Sequence, residues 1–246
     1  ALFLTAEKWV KDKGGNKLVG PINLSTNETC GLLIDGFNLP PMAMMTYNYP
    51  YYINLIDNYN FGKQVDLRAY LVKTDTASLR SVKLLDRLEE RLKRSGITLR
   101  EINLNDFKAE AERIKKIYNK AWDKNLGFVP MTDAEFAWVA KDLKMIVDPS
   151  FCSIAEKNGE IVGFSVGIPN INEILIKIKK GRLLPTGIFK LLLGKKKIKT
   201  LRVMMLGVLE DYRKLGIEAC LYGRIIKNAK IKGIYGAECS WMLEHN

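Results

Sequence analysis

The sequence has a single histidine, His245, and it stands one residue from the C-terminal end of the 246 residues. A mechanism built on a histidine base in a folded pocket would depend on a chain end prone to fraying, which disfavours Ser-His-Asp and Cys-His hydrolases. Cysteine is also scarce: Cys30, Cys152, Cys220 and Cys239 fall at long, irregular intervals. Without a two-residue Cys spacing or histidine partners, the zinc ribbon, the zinc finger and the thioredoxin-type redox pair are excluded, and no metal is expected. Free thiols in a reducing cytosol are the expectation. Long apolar runs are missing too. The greasiest stretch, Leu183 to Leu193, is broken by Pro185 and Lys190, well short of the roughly 18 to 20 apolar residues of a membrane span. The opening Ala1-Leu2-Phe3-Leu4 has neither an initiator Met nor the basic and apolar regions of a signal peptide, so the chain reads as a processed or partial product of cytoplasmic location.

What is present is a globular composition, 47% hydrophobic and 27% charged, with a formal net charge of +12. A packed core is expected and disorder is not. The charge is uneven. Between Ile171 and Arg202 stand ten basic residues (Lys177, Lys179, Lys180, Arg182, Lys190, Lys195, Lys196, Lys197, Lys199 and Arg202) and one acid, Glu173. Ile and Leu residues interleave with them throughout, a pattern that suits an amphipathic surface element. The plainer reading is the solvated face of an insertion.

Residues 1–74 read as a short helix ending at Gly14-Gly15, strands near Lys17 to Asn23 and Gly31 to Phe37, a helix near Tyr51 to Tyr59 and a strand near Val65 to Val72. Residues 75–96 form a linker, helical over 78–95, with Leu85, Leu88 and Leu92 on one face and Gly96 at the stop. From Ile97 a strand is followed by a helix carrying Phe107, Ala111, Ile114, Tyr118 and Trp122. A second helix starts in a capping box of Thr132 and Glu135. The apolar runs Phe151 to Glu156 and Ile161 to Ile168 flank Asn158-Gly159, a strong hairpin signal. After the basic insertion, 171–200, come a strand at Leu201 to Leu209, a helix from about Arg213 to Lys232 and a strand at Tyr235 to Trp241. The fold class is α/β (α+β).

The chemistry concentrates where the strand Val203-Met204-Met205-Leu206-Gly207-Val208 runs through Arg213-Lys214-Leu215-Gly216-Ile217 into a helix. The first amides of a helix lack intrahelical partners and their dipole favours an anion. An ordinary strand-to-helix turn with surface Arg and Lys is the alternative.

Over residues 97–246, the element order and this loop resemble the GNAT superfamily of N-acyltransferases. The resemblance implies a mixed central sheet flanked by helices. It further implies acyl-CoA or acetyl-CoA as cosubstrate, its pantetheine arm along Leu206, Gly207 and Val208 and its pyrophosphate at Arg213, Lys214, Leu215, Gly216 and Ile217. The family's third loop position, Gly or Ala, is Glu218 here, a like charge beside a pyrophosphate. Asn246 falls where relatives use an Asn on the cofactor, and Glu238, on the fifth strand, is the candidate base, the alternative being a partnered structural carboxylate. Residues 1–74 resemble the back half of another such module, so the whole chain resembles an interior portion of an uncharacterised bacterial tandem-GNAT protein. Tyr47, Asn48, Tyr51 and Tyr52 either line a groove between modules or pack there.

An acyl-CoA-dependent N-acyltransferase of unknown amine acceptor follows as the leading expectation. Fem-type transfer from aminoacyl-tRNA keeps the fold and gives the basic segment a phosphate backbone to contact. A non-catalytic GNAT-fold module that binds protein or membrane is the third. The segment 171–202 is expected to meet an anionic membrane surface, placing the protein peripherally, or an acyl-carrier protein.

Overall fold

In the computed structural model, residues 1–76, 79–123, 125, 127–178, 181–182 and 184–245 are described. Among them run α1 (Leu2–Asp12), α2 (Tyr51–Asp57), β1 (Leu67–Lys73), α3 (Leu79–Arg94), β2 (Ile97–Glu101), α4 (Phe107–Ala121) and α5 (Asp133–Ile146). These are followed by β3 (Cys152–Lys157), β4 (Glu160–Pro169), α6 (Asn172–Leu175), α7 (Thr186–Gly194), β5 (Thr200–Val208), α8 (Ile217–Ile231) and β6 (Gly236–Leu243). The strands form one six-stranded sheet in the order β1-β6-β5-β4-β3-β2. Its pairs are antiparallel except β5 and β6, which run parallel. This is an α/β architecture, a mixed sheet with helices on both faces.

Local chemistry explains the best-defined elements. Asn158 and Gly159 both take positive φ, 52° and 81°, as a tight two-residue hairpin between β3 and β4 requires. Thr132 accepts from the Glu135 amide while the Glu135 side chain returns to the Thr132 amide, so the capping box starts α5 where expected. One face of the sheet carries α4 and α5, which bury Ile114, Ile117, Phe136 and Leu143 against Ile154, Phe164, Val166 and Ile168. The other carries α8 and α3, with Leu221 and Ile217 over Ala155, Val162 and Val208.

Residues 16–48 depart from expectation. Neither Lys17 to Asn23 nor Gly31 to Phe37 is a strand; a single bridge joins Ile22 and Cys30. The Asn48 side chain takes the role of a partner strand, accepting from the Leu33 amide at 2.7 Å and donating to its carbonyl at 3.2 Å. Apolar alternation alone does not make a strand where no sheet edge is within reach. This segment instead crosses the α4/α5 side of the molecule. Thr26 and Asn27 donate to the carbonyls of Gly127 and Val129, and Ala43 is fully buried. The four cysteines are buried free thiols. No helix among the described residues is long and apolar enough to cross a membrane.

Candidate active site

The parallel contact between β5 and β6 is short, running only from Thr200 opposite Gly236 to Val203 opposite Cys239. Beyond that point β5 continues to pair with β4 as far as Val208, while β6 continues with β1 as far as Leu243. The two strands therefore part, and the edge of β5 from Met204 to Val208 faces a split in the sheet. Met204 is the extra residue of a bulge, because Val166 pairs with Met205 and Gly167 with Val203. A bulge twists and re-aims the strand that carries it. The open edge offers backbone groups to an extended ligand in the manner of an added strand.

At the far end of that edge lies the Arg213 to Ile217 loop and the N-terminus of α8. Gly216 caps the helix at φ 95° and Lys214 also takes a positive φ. The amides of the first helical turn have no intrahelical partner here. Gly216 also stands against the neighbouring helix. A Cβ there would meet Leu88 of α3 at 2.8 Å, so its small size serves the α3/α8 contact and its φ serves the cap. Arg213 is likewise occupied with protein, donating from Nε to the Val208 carbonyl at 3.2 Å and from an Nη to the Ala121 carbonyl at 3.4 Å. Arg91 donates to the Leu215 carbonyl and fixes the loop from α3. Glu218 sits, half-buried, in the first turn of α8.

At the closed end of the split stands Glu238. Its residue partner across β5/β6 is Arg202, and that arginine, which the charge count assigned to the basic surface, is buried at 3% exposure. Its guanidinium donates from Nε to Ser240 Oγ (2.9 Å), from Nη1 to the carbonyls of Ala43 (3.1 Å) and Met44 (3.0 Å), and from Nη2 to the Ser240 carbonyl (3.3 Å). Ser240 Oγ in turn donates to Glu238 Oε1 at 2.8 Å. Burial pushes the Glu238 carboxyl above the usual carboxylate range, against the opposing pull of Ser240 and Arg202. Burial also lowers Arg202 to about 10, with Glu238 pulling the other way. The network continues below through Asn170, which accepts from the Ala43 amide at 3.1 Å and donates to Thr200 Oγ1 at 3.0 Å, and from Thr200 to Glu173.

Glu238, Leu206, Gly207 and Val208 are thus gathered along one split, and Arg213 to Ile217 lie at its open, outer end. Leu206 packs with the α3/α8 core, and Gly207 lies beneath the Trp122 ring on the other face. Asn246 lies outside the described residues. Sequence reasoning missed Arg202, Ser240 and the Ala43-Met44 carbonyls. The available signal was Arg202 itself, a charge inside the otherwise apolar strand Leu201 to Val208. Tyr49, Tyr51 and Tyr52 stack in the exposed Tyr47 to Tyr52 segment, with centroids 5.9 and 4.6 Å apart, and form an outer ladder rather than a packed cluster.

No protein-family model matches the chain. Over its full length it is 37% identical to protein YghO of Escherichia coli and 34% identical to the bacterial ceramide synthase of Caulobacter vibrioides. The chain spans 64% of the length of each of these relatives. Among solved structures, a GCN5-related N-acetyltransferase from Sphaerobacter thermophilus aligns with 81% of this chain and 48% of its own, at 15% identity and a TM-score of 0.45. The L-PGS structure from Bacillus licheniformis aligns with 77% and 51%, at 14% identity and a TM-score of 0.42.

Proposed function

We propose that the chain is the catalytic part of an N-acyltransferase that moves an acyl group from a CoA thioester to the amine of a lipid-like acceptor. The carrying observation is the split between β5 and β6, with an anion-suited helix terminus at its open end and a half-buried carboxylate, Glu238, at its closed end. Five residues of β5 separate the two ends, roughly 17 Å along an extended strand. An elongated ligand anchored by its anionic end therefore brings its other end to Glu238. The similarity to a ceramide synthase supports an amine with a long alkyl tail as acceptor.

The residues present fit CoA in two places. The free edge of β5 at Leu206 to Val208 suits the amide-bearing arm, and the amides and Lys214 of the loop suit the phosphates. When bound, CoA supplies an acyl carbon activated as a thioester. Glu238 takes the proton of the attacking amine as the nitrogen–carbon bond forms and the carbon–sulfur bond breaks. Its carboxyl, raised above the usual carboxylate range by burial, is a stronger base than a free carboxylate. Ser240 orients the carboxylate, and Arg202 holds Ser240 and the Ala43-Met44 turn in place.

The same reading places the protein on an anionic membrane through α7 and the residues around it, where exposed Ile176, Leu184, Phe189 and Leu193 stand among lysines. Native mass spectrometry with lauroyl-CoA and a long-chain amino alcohol tests the proposal. A bound CoA-sized mass followed by the amide product supports it, and absence of both refutes it.

A further inference from the structure

Arg202 of β5 and Glu238 of β6 are opposite partners in the parallel register, and opposite charges so placed on neighbouring strands ordinarily attract and pair. Here the guanidinium is directed elsewhere. It gives Nε to the Ser240 hydroxyl and its two Nη groups to the carbonyls of Ala43, Met44 and Ser240. The hydrogen bond to Glu238 comes instead from Ser240, and Arg202 acts on the carboxylate through its charge. Two of the carbonyls that draw the guanidinium belong to a turn held from the end of β4. Ile168 is the β4 partner of Arg202, so Asn170, two residues on, stands on the same face of the sheet. Asn170 is buried, and its side chain is fixed at both ends. Thr200 Oγ1 gives its proton to Glu173 at 2.5 Å, so it can only accept from Asn170 Nδ2, at 3.0 Å. That turns Asn170 Oδ1 to the Ala43 amide, at 3.1 Å. Asn172 donates to the Pro41 carbonyl at 2.9 Å and fixes the start of the same turn. Met44 takes a φ of 61°, a left-handed conformation that disfavours a non-glycine residue, and two successive carbonyls converge on one Nη nitrogen. Ala43, which has no exposed surface, is thus gripped at its N–H by Asn170 and at its carbonyl by Arg202.

We infer that the Ala43-Met44 turn withholds the Arg202 guanidinium from Glu238, and that Asn170 is the positioning residue that sets this turn. The inference rests on the reading of Glu238 as the base. A carboxylate in a direct, two-pronged pair with arginine is held in its charged form and accepts a proton poorly. With the guanidinium drawn to carbonyls, Glu238 takes its hydrogen bond from a neutral hydroxyl and stays basic. Its other neighbours leave Arg202 as the charge that decides this. β1 places Leu71 opposite Glu238, the turn brings Met45 Sδ to 3.3 Å from Ser240 Oγ, and the adjacent Cys239 is a buried thiol that burial pushes up.

The test follows Glu238 itself, by carbon-13 NMR titration of the full chain labelled at its glutamate carboxyls, with the signal assigned through Glu238→Gln. Asn170→Ala should move the Glu238 titration to lower pH, because the released guanidinium pairs with the carboxylate. Asn172→Ala should move it the same way by less, so the proposal does not depend on one variant that fails to fold. In an Arg202→Gln background neither change should move it further. Single-turnover transfer from lauroyl-CoA to a long-chain amino alcohol should fall about tenfold in Asn170→Ala, part of what a positioned base supplies. Its rising pH limb should shift with the carboxyl, while the acceptor concentration at half-maximal rate changes little. A Glu238 that titrates as in wild type in the folded variants overturns the inference. An equal shift in the Arg202→Gln background also overturns it, since Asn170 would then act on Glu238 by another route. A Glu238 titration that Asn170→Ala lowers, in a protein that transfers no acyl group, would retain the clamp and refute the catalytic reading of the split.

Discussion

Arg202 and Glu238 face each other across the last residues of the β5/β6 pairing, and Ser240 joins them by two hydrogen bonds, one received and one given. The arrangement places a half-buried acid next to a buried base at the apex of the split. Both charges are displaced from their ordinary titration by burial, and each partly offsets the displacement of the other.

The first expectation concerns Glu238. Glu238→Gln keeps the shape and the Ser240 contact but cannot accept a proton, so single-turnover acyl transfer should fall about a hundredfold or more, with acyl-CoA affinity little changed. The direction of the pH effect follows from the shift. Burial raises the carboxyl pKa, so the basic form appears only as pH climbs through a value above the usual carboxylate range. Transfer should rise with pH across that window in wild type and lose this limb in Glu238→Gln. An unaltered profile in the variant would assign the base elsewhere.

Arg202 is expected to be structural as well as positional. Arg202→Ala leaves the carbonyls of Ala43, Met44 and Ser240 without their donor and removes the charge opposite Glu238. Loss of one partner from a buried charged network typically costs about 3 kcal/mol or more. Chemical denaturation should report a drop of that order, and Arg202→Lys should recover only part of it, because an ammonium cannot reproduce the guanidinium fork.

Much of this architecture was legible. The hairpin at Asn158-Gly159, the capping box at Thr132, and the α8 face with Ile217, Leu221 and Ile225 follow from local rules, because local geometry alone fixes them. The split itself was not legible, since the point where β5 and β6 part depends on register between distant segments. Residues 16–48 were misread for a related reason. Their apolar alternation is satisfied by crossing the α4/α5 side and by Asn48, not by a neighbouring strand. Arg202 was counted as surface charge because a run of lysines precedes it, although its own neighbours, Leu201 and Val203, are core residues.

Gly216 provides a test that separates packing from backbone strain. Its φ of 95° disfavours any side chain, and an added methyl would meet Leu88. Gly216→Ala should therefore cost about 1 kcal/mol from backbone strain alone, with a further packing cost. Leu88→Ala in the same chain should relieve the second contribution and not the first. A double-mutant cycle by urea denaturation showing no coupling between these positions would contradict the contact.

Glu218 is the single anionic side chain in the first turn of α8, where a phosphate would otherwise face the helix terminus. Glu218→Ala should tighten CoA binding several-fold, most clearly at low ionic strength where screening is weak. Equal affinity in calorimetric titrations of the two proteins would mean that the carboxylate turns away from the ligand.

The basic insertion leads to the last expectation. Its connection between β4 and β5 is far longer than a hairpin needs, and it folds into α6 and α7 at the start of β5, at the opposite end of that strand from the Arg213 loop. Lys179, Lys180 and Leu183 lie outside the described residues, but the remainder divides clearly. Ile174 points inward against Ile198 and Phe151, and Glu173 accepts from the amides of Lys199 and Thr200, which anchors the insertion to the sheet. Ile176, Leu184, Phe189, Leu192 and Leu193 remain exposed. Lys195 donates to the Met145 carbonyl at 2.8 Å, joining this surface to α5, where Trp138 and Met145 are also exposed. Lysines at an anionic bilayer contribute roughly 1 kcal/mol each, and apolar side chains between them add insertion energy that a soluble acidic partner would not reward. Flotation with phosphatidylglycerol vesicles at low salt should therefore recover the protein with the lipid. Replacing Lys195, Lys196 and Lys197 with Glu should abolish recovery, and Phe189→Ser with Leu193→Ser should weaken it even where charge is unchanged. If the wild-type protein stays wholly unbound, the surface is not a membrane face. If the lysine changes alone matter and the apolar ones do not, the charge serves an acidic soluble partner instead.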